Sequence, residues 1–120
     1  MIRGLFVLLA FCLPLATVQA ETLEGRPTII DGDSIVVGGK PIRLWGIDAP
    51  EMDTRAGSVA KSYLRTVVSG REVRCEDHGK RVAGHIMAQC FLGNVDLGRI
   101  MVLSGNAVDW RRYSGGFYSR

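Results

Sequence analysis

Asp33, Arg43, Asp48 and Glu51 bring three carboxylates and one guanidinium into a span of 19 residues. Asp48 and Glu51 close the run Arg43-Leu-Trp-Gly-Ile-Asp-Ala-Pro-Glu51. Pro50 has no backbone N–H and ends a strand there, so both carboxylates sit at a rigid strand end. Asp33 lies ten residues before Arg43, within Asp31-Gly32-Asp33-Ser34. If the two stretches pair as neighbouring strands, the four groups converge. Divalent-metal phosphodiester hydrolysis needs such a set: hard oxygen ligands, a general base and a cation for the phosphate.

These residues need elements to hold them. Pro27 to Ile30 reads as a strand, and Ser34 to Val37, rich in β-branched residues, as a second. Gly38-Gly39 marks a two-residue hairpin turn, leading to a third strand over Lys40 to Ile47. Ser58 is the expected N-cap of a helix carrying Val59, Tyr63, Leu64 and Val67, stopped at Gly70. Glu72 to Cys75 predicts a fourth strand, Glu76 to Val82 a charged loop, and His85 to Leu92 a fifth strand. Asp96 caps a second helix through Leu103, closed by Gly105. This order predicts an α+β fold, mainly β: a five-stranded OB-type barrel with two helices.

The chain has 120 residues and a formal charge of +3. Arg3 followed by the apolar run Leu5 to Leu13 and the small-residue site Val18-Gln19-Ala20 reads as a signal peptide over residues 1–20. The run is too short to span a bilayer. Cleavage would leave one domain over residues 21–120, starting at Glu21, which the mass of the exported protein reads directly. Removing residues 1–20 loses only Arg3 among the charged residues and leaves +2. That mild excess suits a phosphate-bearing partner without requiring one. Cys12 leaves with the leader, and the remaining pair, Cys75 and Cys90, suggests a disulfide.

Asp-Gly-Asp-Ser, then Ile-Arg-Leu, then Gly-Ile-Asp-Ala-Pro-Glu, in this order, resembles the staphylococcal nuclease family. The resemblance runs to about Arg112. It implies an OB-type fold, and a Ca²⁺ held by Asp33, Asp48 and the Ala49 carbonyl. It also implies Arg43 as a phosphate-binding arginine and Glu51 as general base. A protein of this kind cleaves DNA and RNA, single-stranded or flexible, with little sequence preference, leaving 3′-phosphates. Once the leader is cleaved, no stable membrane association is expected. The family often has threonine at the position of Ala49. Its second arginine falls on His85 when the strand is registered through Ala88 and Cys90. A second register, through His78-Gly79-Lys80, puts Lys80 or Arg81 there, and both are candidate nucleic-acid-binding residues. The family's third helix is expected to be missing, with Trp110, Tyr113, Phe117 and Tyr118 covering the barrel or facing a protein partner. Two readings follow: a secreted or periplasmic nuclease weakened at His85, or a catalytically silent OB-fold module that binds nucleic acid or protein.

Overall fold

In the computed structural model, which describes residues 3–15 and 22–120, the carboxylates of interest stand at one end of a curved sheet. The Val18-Gln19-Ala20 site lies outside the described residues. Residues 3–15 form no helix or strand, and Leu5 to Leu15 are exposed. Among the described residues no helix is long and apolar enough to cross a membrane.

Nine strands and three helices follow. The strands are β1 (Thr22–Gly25), β2 (Thr28–Asp31), β3 (Ser34–Val37), β4 (Lys40–Leu44), β5 (Ile47–Asp48), β6 (Val73–Val82), β7 (His85–Leu92), β8 (Val95–Asp96) and β9 (Val108–Asp109). The helices are α1 (Arg55–Val68), α2 (Leu97–Leu103) and α3 (Arg111–Ser114), with a 3-10 turn at Phe117–Ser119. The main sheet runs β1-β6-β7-β4-β3-β2, with β8 on β7, and β5 pairs separately with β9. All neighbours in the main sheet are antiparallel except β4 and β7. The fold is therefore α+β with a seven-stranded, mainly antiparallel sheet. Among the described residues no pairing closes the sheet between β1 and β2.

The core sits under one face of this sheet. Ile35, Val37, Ile42, Leu44, Val73, Cys75 and Cys90 meet Leu64 of α1 and Leu97 and Met101 of α2, all essentially without solvent contact. Gly38 and Gly39, both with positive φ, make the β3–β4 hairpin as expected. Asp96 caps α2 by accepting from the Gly98 N–H at 2.9 Å. Cys75 and Cys90 face each other across β6 and β7 and are disulfide-bonded.

Several elements differ from expectation for identifiable reasons. The third strand does not run through to Ile47. Gly46, at φ +75°, breaks it, and Ile47–Asp48 turns away to pair with β9. The charged stretch Glu76 to Val82 is strand rather than loop, because β7 offers it a full ladder. A bulge between Asp77 and Lys80 absorbs the extra residues, and Ala83-Gly84 makes the tight turn. Helix α1 starts four residues early. Thr54, not Ser58, is its cap and accepts from the Gly57 N–H at 3.1 Å. A third helix is present, though it is only four residues long.

The disulfide closes a loop of 15 residues. In the chain-entropy model such a link is worth about 3 kcal/mol. The double variant Cys75→Ser/Cys90→Ser should lose stability on that order in urea titration. Two reactive thiols per unreduced, unfolded wild-type chain without its leader would refute the bond.

Candidate active site

Hairpin β3–β4 sets the site. Ser34 pairs with Arg43, and the Leu44 N–H donates to the Asp33 carbonyl at 2.8 Å. Asp33 and Arg43 are thereby brought side by side. The Asp31-Gly32-Asp33 turn is packed from behind. A Cβ on Gly32 would stand 2.7 Å from that of Ala60 in α1 and 2.8 Å from that of Ala49. Asp48 is held by the β5–β9 pair, opposite Val108.

Arg43 is the centre of the arrangement. Its Nη1 lies 2.9 Å from Asp33 Oδ1, and its Nη2 donates to Asp48 Oδ1 at 3.1 Å and to the Ile47 carbonyl at 3.2 Å. Trp110, at the start of the C-terminal tail, covers the guanidinium with its ring centroid 4.9 Å away. The Arg43 Nε–H is buried and has no hydrogen-bond partner. A buried donor in that condition costs about 1–3 kcal/mol until an acceptor arrives. It is one more N–H of a fork suited to phosphoryl oxygens.

Asp33 is almost wholly enclosed, at 3% exposure. The Ala49 N–H donates to its Oδ2 at 2.7 Å and the Ser34 hydroxyl to its Oδ1 at 3.2 Å. Burial, reinforced by the Asp31 side chain, raises its pKa to about 7. The Ala49 N–H and the Arg43 charge pull the other way and are outweighed. Asp31 is thus more than a turn residue: its Oδ1 accepts from the Asp33 N–H at 3.0 Å, and its charge acts on Asp33.

Among the described residues no three His, Cys, Asp or Glu side chains gather tightly enough to form a metal cluster by themselves. The donors at hand are nevertheless hard oxygens. Asp31, Asp33 and Asp48 place more negative charge here than the single Arg43 balances. Oxygens of this kind are the ligands a Ca²⁺-type ion takes, and they offer nothing to a thiophilic metal.

Glu51 stands three residues beyond Asp48 with its side chain exposed. Its backbone is tightly placed. The Glu51 carbonyl accepts from both the N–H and the hydroxyl of Thr54, at 3.1 and 2.6 Å. Gly57, in the first turn of α1, lies so close that a Cβ there would stand 1.9 Å from the Glu51 carbonyl oxygen. With Ser58 as the expected cap, Gly57 falls outside the helix that the sequence predicts. A glycine inside a helix costs about 1 kcal/mol against alanine, and that cost was the available signal of a close backbone approach.

His85 is half-buried at the start of β7, opposite Val82. Side chains alternate along the strand, so His85 shares a face with Met87. Met87 is the β7 neighbour of Arg43 on one side and of Lys80 on the other. Arg43, Lys80 and His85 therefore belong to one face of the sheet. Lys80 is exposed, its Nζ 5.6 Å from the Tyr113 ring centroid. Arg81 is engaged elsewhere, donating to both carboxylate oxygens of Asp77 at 3.2 and 3.1 Å. Trp110 and Tyr113, expected to cover the barrel or face a protein partner, pack edge to face at 4.4 Å beside Arg43 and Lys80.

Residues 41–118 match a family model described as Staphylococcal nuclease homologue. The Succinoglycan biosynthesis protein ExoI of Rhizobium meliloti (strain 1021) is 34% identical over 112 residues, covering 83% of this chain. The chain spans only 59% of that relative's length.

Two expectations follow from the site. Between about pH 4 and pH 7 the folded protein keeps a proton on Asp33 that the unfolded chain has released, so stability should fall as pH rises through that window. Thermal unfolding in chelator should show this fall, and Asp33→Asn should flatten it. An equal slope in the variant would exclude Asp33 as the source. Gly57→Ala should push the Glu51 backbone aside. It should cost more than about 1 kcal/mol of stability, whereas Ser58→Ala, at an exposed position nearby, should cost less than about 0.5 kcal/mol. Equal costs would show that the approach at Gly57 is not tight.

Proposed function

Because the chain belongs to the staphylococcal nuclease homologue family, we propose that it is an exported, calcium-dependent phosphodiesterase. It hydrolyses DNA and RNA with little sequence preference on an OB-type barrel. The supporting observation is the Arg43 guanidinium between Asp33 and Asp48, with its buried Nε–H lacking an acceptor.

Asp33, Asp48 and the Ala49 carbonyl would hold calcium, which when bound supplies charge stabilisation at the phosphoryl oxygens. Arg43 orients the phosphate and balances its growing charge. Glu51 takes a proton from the attacking water. The bond from phosphorus to the 5′-oxygen breaks, leaving a 3′-phosphate and a 5′-hydroxyl. His85 stands where a second arginine is expected. It offers fewer donors and no permanent charge, so the transition state is held less firmly. Lys80, exposed on the same face, assists the strand. The disulfide and the exposed apolar residues 5–15 support a secreted or periplasmic location.

The second reading is a silent module that binds nucleic acid or a protein. It is favoured by His85, which stands where the resemblance expects a second arginine. The name of the Rhizobium meliloti relative, a succinoglycan biosynthesis protein, is compatible with that reading.

Turnover of single-stranded DNA, with calcium and with chelator, separates the two. Wild type should be weakly active in calcium only. Glu51→Gln should lose a factor of about 10²–10⁴. His85→Arg should gain at least about ten-fold, near 1.4 kcal/mol of barrier. No gain would assign the role to Lys80. No turnover in any of the three, with calcium bound, would establish the silent module.

A further inference from the structure

A cavity of about 390 Å³ opens at the far end of α1, away from Arg43. Arg26, Arg65 and Arg71 line it, together with Thr28 and Ser69. The three arginines come from three segments: the β1–β2 link, the last turn of α1, and the chain returning after Gly70. None of the three guanidinium groups makes a hydrogen bond or ion pair with the described residues, and no acidic residue lines the cavity. The acids nearest in sequence, Glu24 and Glu72, line a separate cavity with Arg74. A basic residue in the last turn of a helix complements the helix dipole, which accounts for Arg65 alone. Arg26 and Arg71 are not explained that way. Three like charges around one concavity raise a positive potential that an anion relieves.

We propose that this arginine cavity is a second phosphate-binding site, gripping the backbone of a single-stranded nucleic acid several nucleotides from the bond held at Arg43. This rests on the phosphodiesterase reading for the identity of the strand. The spacing follows from the helix. The Glu51 carbonyl touches the first turn of α1, and the cavity includes Val68, its last residue. From Ala60, packed against the Gly32 turn beside Asp33, to Val68 the helix rises about 12 Å. At a stacked rise of about 3.4 Å per nucleotide the two sites are at least about three nucleotides apart. A strand filling both sites must therefore be longer than a trinucleotide. The occupant is recognised by phosphate charge rather than by base, in keeping with low sequence preference.

Binding is measured in chelator, without turnover, by anisotropy of labelled oligothymidylates of three and of twelve nucleotides across a salt series. Each phosphate contact on a single strand contributes about −0.7 to the slope of log affinity against log salt. The variant Arg26→Gln/Arg65→Gln/Arg71→Gln should lower the slope for the longer strand by about 2, and its affinity loss should be larger for the longer strand than for the trinucleotide. Should the triple variant fail to fold, each single variant should lower the slope by about 0.7. Equal slopes in wild type and variants, or no strand binding by wild type, overturn the proposal. Binding of inorganic phosphate that depends on the three arginines, with no effect on strands, assigns the cavity to a free anion and also overturns it. Arginine-dependent strand binding without cleavage in calcium leaves this site standing and removes the phosphodiesterase.

Discussion

Asp33 is a carboxylate buried on the floor of a turn, and the surrounding structure is arranged to make that position tolerable. Burial alone favours its protonated form, and the neighbouring Asp31 pushes in the same direction. One guanidinium and one backbone N–H stand against this. The first comes from β4 of the hairpin and the second from the segment just beyond it. The register of that hairpin, the stop at Pro50 and the small side chain of Ala49 are thus parts of one electrostatic arrangement. Removing Arg43 would take away the charge that holds the Asp33 pKa down and let the carboxyl keep its proton to still higher pH.

The C-terminal tail completes what the hairpin begins. The Trp110 N–H donates to the Gly46 carbonyl at 2.7 Å, and β9 fixes the strand that carries Asp48. Beyond it, the Tyr118 hydroxyl donates to Asp96, the cap of α2, and burial together with that carboxylate keeps the hydroxyl from ionising. Trp45 is stacked on His78 and flanked by Phe117 and Tyr118. The tail therefore joins the end of β4 to the start of α2, and the aromatic residues pack along it.

Much of the site was legible because it is local. Asp33, Arg43, Asp48 and Glu51 lie within one hairpin and its exit, and alternation with a proline stop is enough to align them. The Gly38-Gly39 turn and the Asp96 cap were readable for the same reason. What escaped depended on partners distant in sequence. Glu76 to Val82 looks like a loop by composition and becomes strand only because β7 lies alongside. The break at Gly46 needs Val108 and Asp109 to receive the diverted strand. Trp110 over Arg43 could not be foreseen from a tail of unassigned shape.

The single parallel pairing in the main sheet has a kinetic consequence. It joins Ile42, Arg43 and Leu44 to Ile86, Met87 and Ala88, and the Trp45 N–H reaches the Ala88 carbonyl at 2.8 Å. Contacts so distant along the chain form only after a long loop has been closed, and such contacts slow folding. The β3–β4 hairpin is local, whereas the strand beside Arg43 comes from β7 and the partner of the Asp48 strand from β9. An unfolded chain carries all four chemical groups and has no assembled site.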